Sequence, residues 1–304
     1  MASSDIPTID VSPYFKSDQE NEEGKKKATE KIREACVTYG FFHIANHGIP
    51  LELLSRTMDM YKTFFASSDE EKLAIPHNYL KSTQKSAGTF EHLWVRLSSS
   101  SAFDVCPNNP PQFRQVLEEM ASHFTKLGVV LERIISECLG LPPDLLANYT
   151  NDRSRDALMG LNYFPAKEDD NTGKPAHEDP GCFTIVYQDE VGGLQVQKDG
   201  QWIPIAPSKD KLVVNIGDVI QVLSNYKFKS ATHKLVRARE TNHCSYAFFY
   251  DMQRDKWIDP LPQFTKEIGE SPKCRGFLFE EYLQLRLRNV THPPARPEDL
   301  SSSI

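Results

Sequence analysis

The sequence predicts an α+β protein in which a helical N-terminal region packs on a β core, because the spacing of the apolar residues changes along the chain. Before about residue 150, apolar positions recur at helical spacing. After about residue 155 they alternate with a period of two, and turn residues separate seven short segments. Short strands separated in this way are typical of an all-β sandwich or barrel.

Three helices are expected in the first part of the chain. The apolar spacing predicts them over residues 28–39, 51–65 and 113–138, and the last carries an apolar stripe of about seven turns. Gly40 is expected to end the first helix. Residues 76–112 are rich in Ser, Asn and Pro, so we interpret them as irregular.

The β core follows. Lys198, Asp199 and Gly200 are predicted to form a hairpin turn, with glycine adopting a positive φ. A last helix is expected over residues 277–288, before a proline-rich tail. The predicted strands are 158–164, 183–188, 194–197, 202–205, 212–216, 230–236 and 244–251.

Composition restricts the class of protein. The 304 residues are expected to form one functional unit, with residues 1–150 packed on a core of residues 151–304. A net charge of −7 without a dense basic block predicts no nucleic-acid partner, and no apolar run is long enough to suggest a membrane span. Six cysteines without a CxxC pair, and no secretory pattern, favour a reducing, cytoplasmic location. A monomer is expected.

The stretch PAHEDPGC contains a candidate metal site. Side chains at i and i+2 of an extended backbone share a face, so His177 and Asp179 are able to converge on one ion. His233 lies on a later predicted strand and supplies a second imidazole. Two histidines and one carboxylate form the facial triad of non-haem iron oxygenases. The alternatives are an ordinary polar turn at 177–179 and a lone core histidine at 233.

Several motifs carry a resemblance to a known family. The segments GFFHIANHGI, HEDPGCFTIVYQDEVGGLQV, WIPIAPSKDKLVVNIGD and LQLRLRN occur in this order. They resemble motifs of the plant 2-oxoglutarate- and Fe(II)-dependent dioxygenases, a family of isopenicillin N synthase-like enzymes. The resemblance extends over about residues 6–290. The resemblance implies a double-stranded β-helix, or jelly-roll, core flanked by helices.

The same resemblance implies an activity. Fe(II) would be bound by His177, Asp179 and His233, and 2-oxoglutarate would be decarboxylated with O₂ while a small plant metabolite or hormone is oxidised. The outcome would be hydroxylation, desaturation, demethylation or ring closure.

The sequence departs from the family where the co-substrate binds. The family's Arg-x-Ser, which holds the distal carboxylate of 2-oxoglutarate, corresponds to His243 and Ser245. The family's NYYP corresponds to a segment with Phe164 in place of the second tyrosine. Arg237 and Arg239 are alternative sources of charge. The expected co-substrate residues are Asn162, Tyr163, Phe164, His243 and Ser245, although the first two are also ordinary strand residues.

Four aromatic residues are candidate substrate contacts: Phe90, Trp94, Phe103 and Phe249. Core packing is the alternative for Phe249. Two other functions remain open. One is an iron oxidase or cyclase that uses another reductant, with ascorbate as a candidate, as in the aminocyclopropane-carboxylate oxidases. The other is a catalytically silent small-molecule binder.

Overall fold

The structure is a computed structural model that describes residues 6–16, 21–75, 79–81, 89–97, 103, 106–150, 156–166 and 170–291. Its strands are β1 Thr8–Asp10, β2 Phe41–Ala45, β3 Tyr79–Lys81, β4 Phe90–Arg96, β5 Ala157–Tyr163, β6 Thr172–His177, β7 Phe183–Gln188, β8 Leu194–Lys198, β9 Gln201–Pro204, β10 Lys211–Ile216, β11 His233–Val236, β12 His243–Tyr250, β13 Trp257–Ile258 and β14 Phe277–Leu278. Its helices are α1 Glu22–Thr38, α2 Leu51–Ala66, α3 Asp69–Leu73, α4 Phe113–Cys138, α5 Ala147–Thr150, α6 Asp218–Leu223 and α7 Phe279–Thr291.

Two sheets form the predicted jelly-roll core. The larger sheet has eight strands in the order β1-β2-β10-β7-β12-β5-β4-β3, and the smaller has four in the order β6-β11-β8-β9. Four strands of the larger sheet, β1 to β4, come from the first 150 residues. The two parts of the chain therefore share one sheet. None of the described helices combines the length and apolar character needed to cross a membrane.

The alternation of β12 separates a packed core from a cavity. Tyr246 stacks on Tyr61 of α2 with 5.8 Å between ring centroids, and Phe248 stacks on Phe124 of α4 at 5.3 Å. These side chains share one face of the sheet, because successive strand residues point to opposite faces. The other face contributes His243, Ser245, Ala247 and Phe249 to the cavity.

Two close approaches depend on glycine. A Cβ on Gly193, where φ is +124°, would lie 2.2 Å from the Val236 carbonyl oxygen between β8 and β11. A Cβ on Gly217 would lie 2.3 Å from the Gly181 carbonyl oxygen. The second contact brings the start of α6 against the turn that follows β6. The predicted hairpin turn is confirmed, since Asp199 and Gly200 have φ values of 51° and 76° between β8 and β9.

Several elements were not expected from the sequence, and three of them lie close to the candidate site or lead to it. Part of the segment 76–112 that we interpreted as irregular forms β4, which pairs with β5 along its length. The strand β6 leads to the candidate metal site, and the short helix α6 follows β10. The seven predicted strands are confirmed with small shifts of their ends.

A buried polar network secures β4. Glu91 is 0% exposed and accepts hydrogen bonds from Lys72 Nζ at 3.0 Å, Asn162 Nδ2 at 3.0 Å and the Tyr79 hydroxyl. Lys72 also donates to the Phe65 carbonyl oxygen at 3.1 Å. A buried carboxylate is tolerated here because a cation and two further donors surround it.

Replacing Glu91 by Gln should therefore destabilise the fold. The variant leaves the Lys72 ammonium without its buried counter-charge, and we expect the free energy of unfolding to fall by about 3 kcal/mol. Urea denaturation measures this change. The matched control is Glu119→Gln, because Glu119 pairs with Arg56 at the surface and should lose less than about 1 kcal/mol. Equal losses in the two variants would contradict the assigned role of the network.

Candidate active site

The three candidate ligands come from two neighbouring strands and the turn between the sheets. His177 is the last residue of β6, His233 is the first residue of β11, and the two form a cross-strand pair. Their ring centroids are 4.2 Å apart. Asp179 Oδ1 lies 3.8 Å from His177 Nε2 and 3.7 Å from His233 Nε2. One ligand atom from each residue lies within 4.8 Å of the other two, and no other such cluster occurs among the described residues.

Hydrogen bonds orient each ligand toward the common centre. The Nδ1 atoms of His177 and His233 lie 2.9 and 3.1 Å from the carbonyl oxygens of Pro175 and Ala231. An Nδ1–H that donates to a carbonyl leaves the Nε2 lone pair for a metal. Asp179 Oδ2 accepts from Thr184 Oγ1 at 2.6 Å and from Asn215 Nδ2 at 2.8 Å, so Oδ1 remains for the ion.

The protonation states also suit a metal. Burial, together with the charges of His233 and Lys174, lowers the pKa of His177 to about 3 against the opposing effect of Asp179. Burial acts to raise the pKa of Asp179, but the two histidines and the hydrogen bonds from Thr184 and Asn215 lower it to about 2. Near neutral pH, His177 is therefore neutral and Asp179 is ionised, which are the forms that bind a cation.

The triad opens into a cavity of about 480 Å³ between the two sheets. Trp94 and Phe249 stack on each other at its wall, with 5.2 Å between ring centroids. The sequence-predicted residues that line the cavity are Phe90, Trp94, Tyr163, His177, Asp179, His233, His243, Ser245 and Phe249. Most of the remaining lining is apolar, which keeps water away from the centre.

Three expected residues lie elsewhere. Asn162 points to the opposite face of β5, where it donates to Glu91, and Phe164 follows the end of the strand and is outside the lining. We correct both assignments, because Leu161 and Tyr163 occupy the cavity face of β5. Phe103 packs against the main core and is also outside the lining.

His243 is held by a carboxylate that the sequence analysis did not identify. Its Nδ1 lies 2.8 Å from Asp189 Oδ1, and Asp189 Oδ2 accepts from the Cys244 amide at 2.8 Å. Burial acts to raise the pKa of Asp189, but these hydrogen bonds and the nearby Lys62 lower it overall. Nε2 of His243 is buried in the cavity wall, and none of the residues that the structure describes forms a hydrogen bond with it. Its ring stacks on Tyr163 at 5.8 Å.

The arginines considered as substitutes for the missing charge do not reach the cavity. The Arg237 guanidinium donates to the carbonyl oxygens of Pro165, Asp170 and Thr172. Arg239 is exposed and is not part of the lining. The cavity does contain Lys174 and His92, which the sequence analysis missed.

A β-bulge brings Lys174 into the cavity, on a strand that the sequence analysis did not predict. His177 pairs with His233, and Lys174 pairs with Leu235. Between these two pairs the chain advances by three residues on β6 but by only two on β11, so β6 contains one extra residue. In a regular strand, residues three apart point to opposite faces, but a bulge changes this alternation. Lys174 and His177 consequently both line the cavity.

Two imidazoles and one carboxylate on a jelly-roll frame define the class of mononuclear non-haem iron oxygenases. A family model for the 2OG-Fe(II) oxygenase superfamily matches residues 155–252, and one for the non-haem dioxygenase in morphine synthesis N-terminal region matches residues 6–126. The chain belongs to the 2-oxoglutarate- and Fe(II)-dependent oxygenase superfamily, as its relatives also show.

Two curated relatives and one solved structure illustrate the likeness. Flavonol synthase/flavanone 3-hydroxylase of Arabidopsis thaliana is 32% identical, over 94% of this chain and 87% of the relative. 1-Aminocyclopropane-1-carboxylate oxidase 2 of Malus domestica is 32% identical, over 90% and 86%. The crystal structure of JOX2 in complex with 2OG, Fe and JA is 28% identical, with a TM-score of 0.82 and coverage of 92% and 84%.

Replacing Thr184 by Val should weaken metal binding without removing a ligand. The variant loses the hydrogen bond that fixes Asp179, so we expect the affinity for Fe(II) or Co(II) to fall about 10-fold or more. Anaerobic titration against a competing chelator measures the affinity, and circular dichroism checks that the fold is retained. The exposed Thr241→Val is the control. Unchanged metal affinity in Thr184→Val would contradict the positioning role.

Proposed function

We propose that His177, Asp179 and His233 hold Fe(II), and that the protein oxidises a small organic molecule with O₂ and 2-oxoglutarate. The observation that carries the proposal is the convergence of the two Nε2 atoms and Asp179 Oδ1, with the other polar atoms of these side chains occupied by the protein. Bound iron and 2-oxoglutarate would supply the oxidising power for an unactivated C–H bond.

The side chains around the centre position the reactants and exclude water. The stacked Trp94 and Phe249 offer a flat apolar surface on the larger sheet for part of the substrate. Leu161, Val186 and Leu235 cover the cavity from both sheets. Apolar walls of this kind strengthen the electrostatic interactions inside the cavity and limit side reactions with water.

His243 and Ser245 are proposed to receive the distal carboxylate of 2-oxoglutarate, beside Tyr163. Because Nδ1–H of His243 donates to Asp189, Nε2 is an acceptor in the neutral ring and a donor only in the protonated ring. A carboxylate at Nε2 is therefore bound by the ring form that carries a proton on both nitrogens.

The same contact supports a second candidate function. The His243 imidazole, hydrogen-bonded to Asp189, can offer at most one N–H donor to a carboxylate in the cavity. An arginine would offer a positively charged guanidinium with several donors. An iron oxidase or cyclase that uses a different reductant, such as ascorbate, therefore remains the alternative. The likeness to an aminocyclopropane-carboxylate oxidase is consistent with this alternative.

Anaerobic reconstitution distinguishes these functions. With Fe(II) and 2-oxoglutarate we expect a metal-to-ligand charge-transfer band, and with O₂ we expect succinate. His177→Ala should lose the band because it removes one of three ligands. The control is His123→Ala, because His123 is partly exposed on α4 and is outside the cavity lining. Iron binding without the band would favour the alternative oxidase. Absence of iron binding would indicate a catalytically silent binder.

Substitution of His243 tests its proposed role in co-substrate binding. His243→Gln should weaken the binding of 2-oxoglutarate roughly 10-fold, the loss of about one charge-assisted hydrogen bond. His243→Arg should strengthen the binding, because a guanidinium adds a fixed charge and further donors. The charge-transfer band reports the dissociation constant, and unchanged affinity in His243→Arg would contradict the assignment.

A further inference from the structure

The cavity contains an ammonium group that the proposed oxidation does not use. Lys174 lines the cavity from β6, on the smaller sheet, three residues before His177. Its ammonium makes no hydrogen bond or ion pair with any residue of the described ranges. Burial lowers the pKa of Lys174, against the opposing charge of Asp179. A partly buried ammonium in a mainly apolar cavity is stabilised by an anionic partner.

The other cations of the lining already have partners within the chain, and one of them, the Arg96 guanidinium, lies over the Trp94 ring at 5.9 Å from its centroid. Arg254 pairs with Glu280 at 2.9 Å, and the Lys234 ammonium lies over the Trp202 ring, 4.1 Å from its centroid. Asp251 accepts from the Met252 amide at 2.9 Å. Among the acidic groups of the described lining, Asp179 is the one whose charge acts on Lys174, and Asp179 belongs to the candidate metal centre.

His92 adds to the preference for an anion. It lies on β4 and faces the same cavity, and burial together with the Lys174 charge lowers its pKa to about 4. The neutral ring offers a hydrogen bond without a competing negative charge. Lys174 and His92 come from different sheets, so they face the cavity from two sides.

Lys174 and the co-substrate residues lie on different sheets. His243 and Ser245 lie on β12, in the interior of the larger sheet. Lys174 lies on β6, the edge strand of the smaller sheet, and His92 lies on β4 near the opposite sheet's edge. Trp94 is two residues from His92 along the same face of β4. The stacked pair of Trp94 and Phe249 therefore lies on the strand face that also carries His92.

We propose that Lys174 is a specificity-determining residue that binds the carboxylate of the substrate, and that the substrate is an aromatic or similarly flat organic acid. Its apolar body packs on Trp94 and Phe249, and its carboxylate accepts hydrogen bonds from Lys174 and His92. This inference deepens the proposed function and rests on it, since it assigns the substrate class of the same site.

Equilibrium binding tests the proposal independently of turnover. Isothermal titration calorimetry uses 3-phenylpropionate, cinnamate and 2-naphthoate, each beside its primary amide, first without added metal and then anaerobically with Fe(II) and 2-oxoglutarate. We expect each acid to bind at least about 10-fold more tightly than its amide, as for one charge-assisted hydrogen bond. Lys174→Met should abolish this preference, and the charge-conserving Lys174→Arg should retain it.

A second measurement separates substrate from co-substrate binding. The affinity for 2-oxoglutarate should be unchanged in Lys174→Met and reduced in His243→Gln. In contrast, the preference for the acids over their amides should be lost in Lys174→Met and retained in His243→Gln. The proposal is overturned if wild-type protein shows no preference for the acids, whether or not the probes bind. It is also overturned if Lys174→Met retains the preference for the acids, or if it weakens the binding of 2-oxoglutarate as much as His243→Gln does. Acid binding without the charge-transfer band would instead refute the proposed oxidation alone.

Discussion

The carboxylate of Asp179 ties the two sheets together at the candidate metal centre. Its Oδ2 accepts hydrogen bonds from Thr184 on β7 and Asn215 on β10, both in the larger sheet. Its Oδ1 faces His177 and His233, which belong to the smaller sheet. The geometry of the centre therefore depends on how the sheets are held relative to each other. The close approach at Gly217, beside the same turn, contributes to that spacing.

The sequence predicted the elements whose side-chain period is regular, and it failed where the period is interrupted. The alternation in β12 predicted a strand, and the structure confirms it with one core face and one cavity face. In β4 the buried Glu91 occupies an interior position, so the polar residue obscured the alternation. Asn162 was misplaced because motif resemblance does not determine which face of β5 a residue occupies. Lys174 was missed because β6 itself was not predicted, and its bulge is a property of strand pairing that one strand's sequence does not show.

His243 illustrates how a departure from a family motif changes the surrounding chemistry. Arginine carries a fixed charge and needs no proton to bind a carboxylate, whereas an imidazole changes from acceptor to donor when it is protonated. Asp189 orients the ring and is itself held by the Cys244 amide. The sequence identified the substitution but not its partner, because the two residues are separated by 54 positions and meet only through the pairing of β12 with β7.

The shared sheet also limits how the chain can be divided. In residues 155–252 alone, β5 would lose its neighbour β4, and β10 would lose β2. Both strands would then present unpaired backbone groups and the apolar side chains that α2 and α4 now cover. An isolated oxygenase segment should consequently self-associate through these two open edges, so the N-terminal half acts as an intramolecular cap that keeps the catalytic half from aggregating.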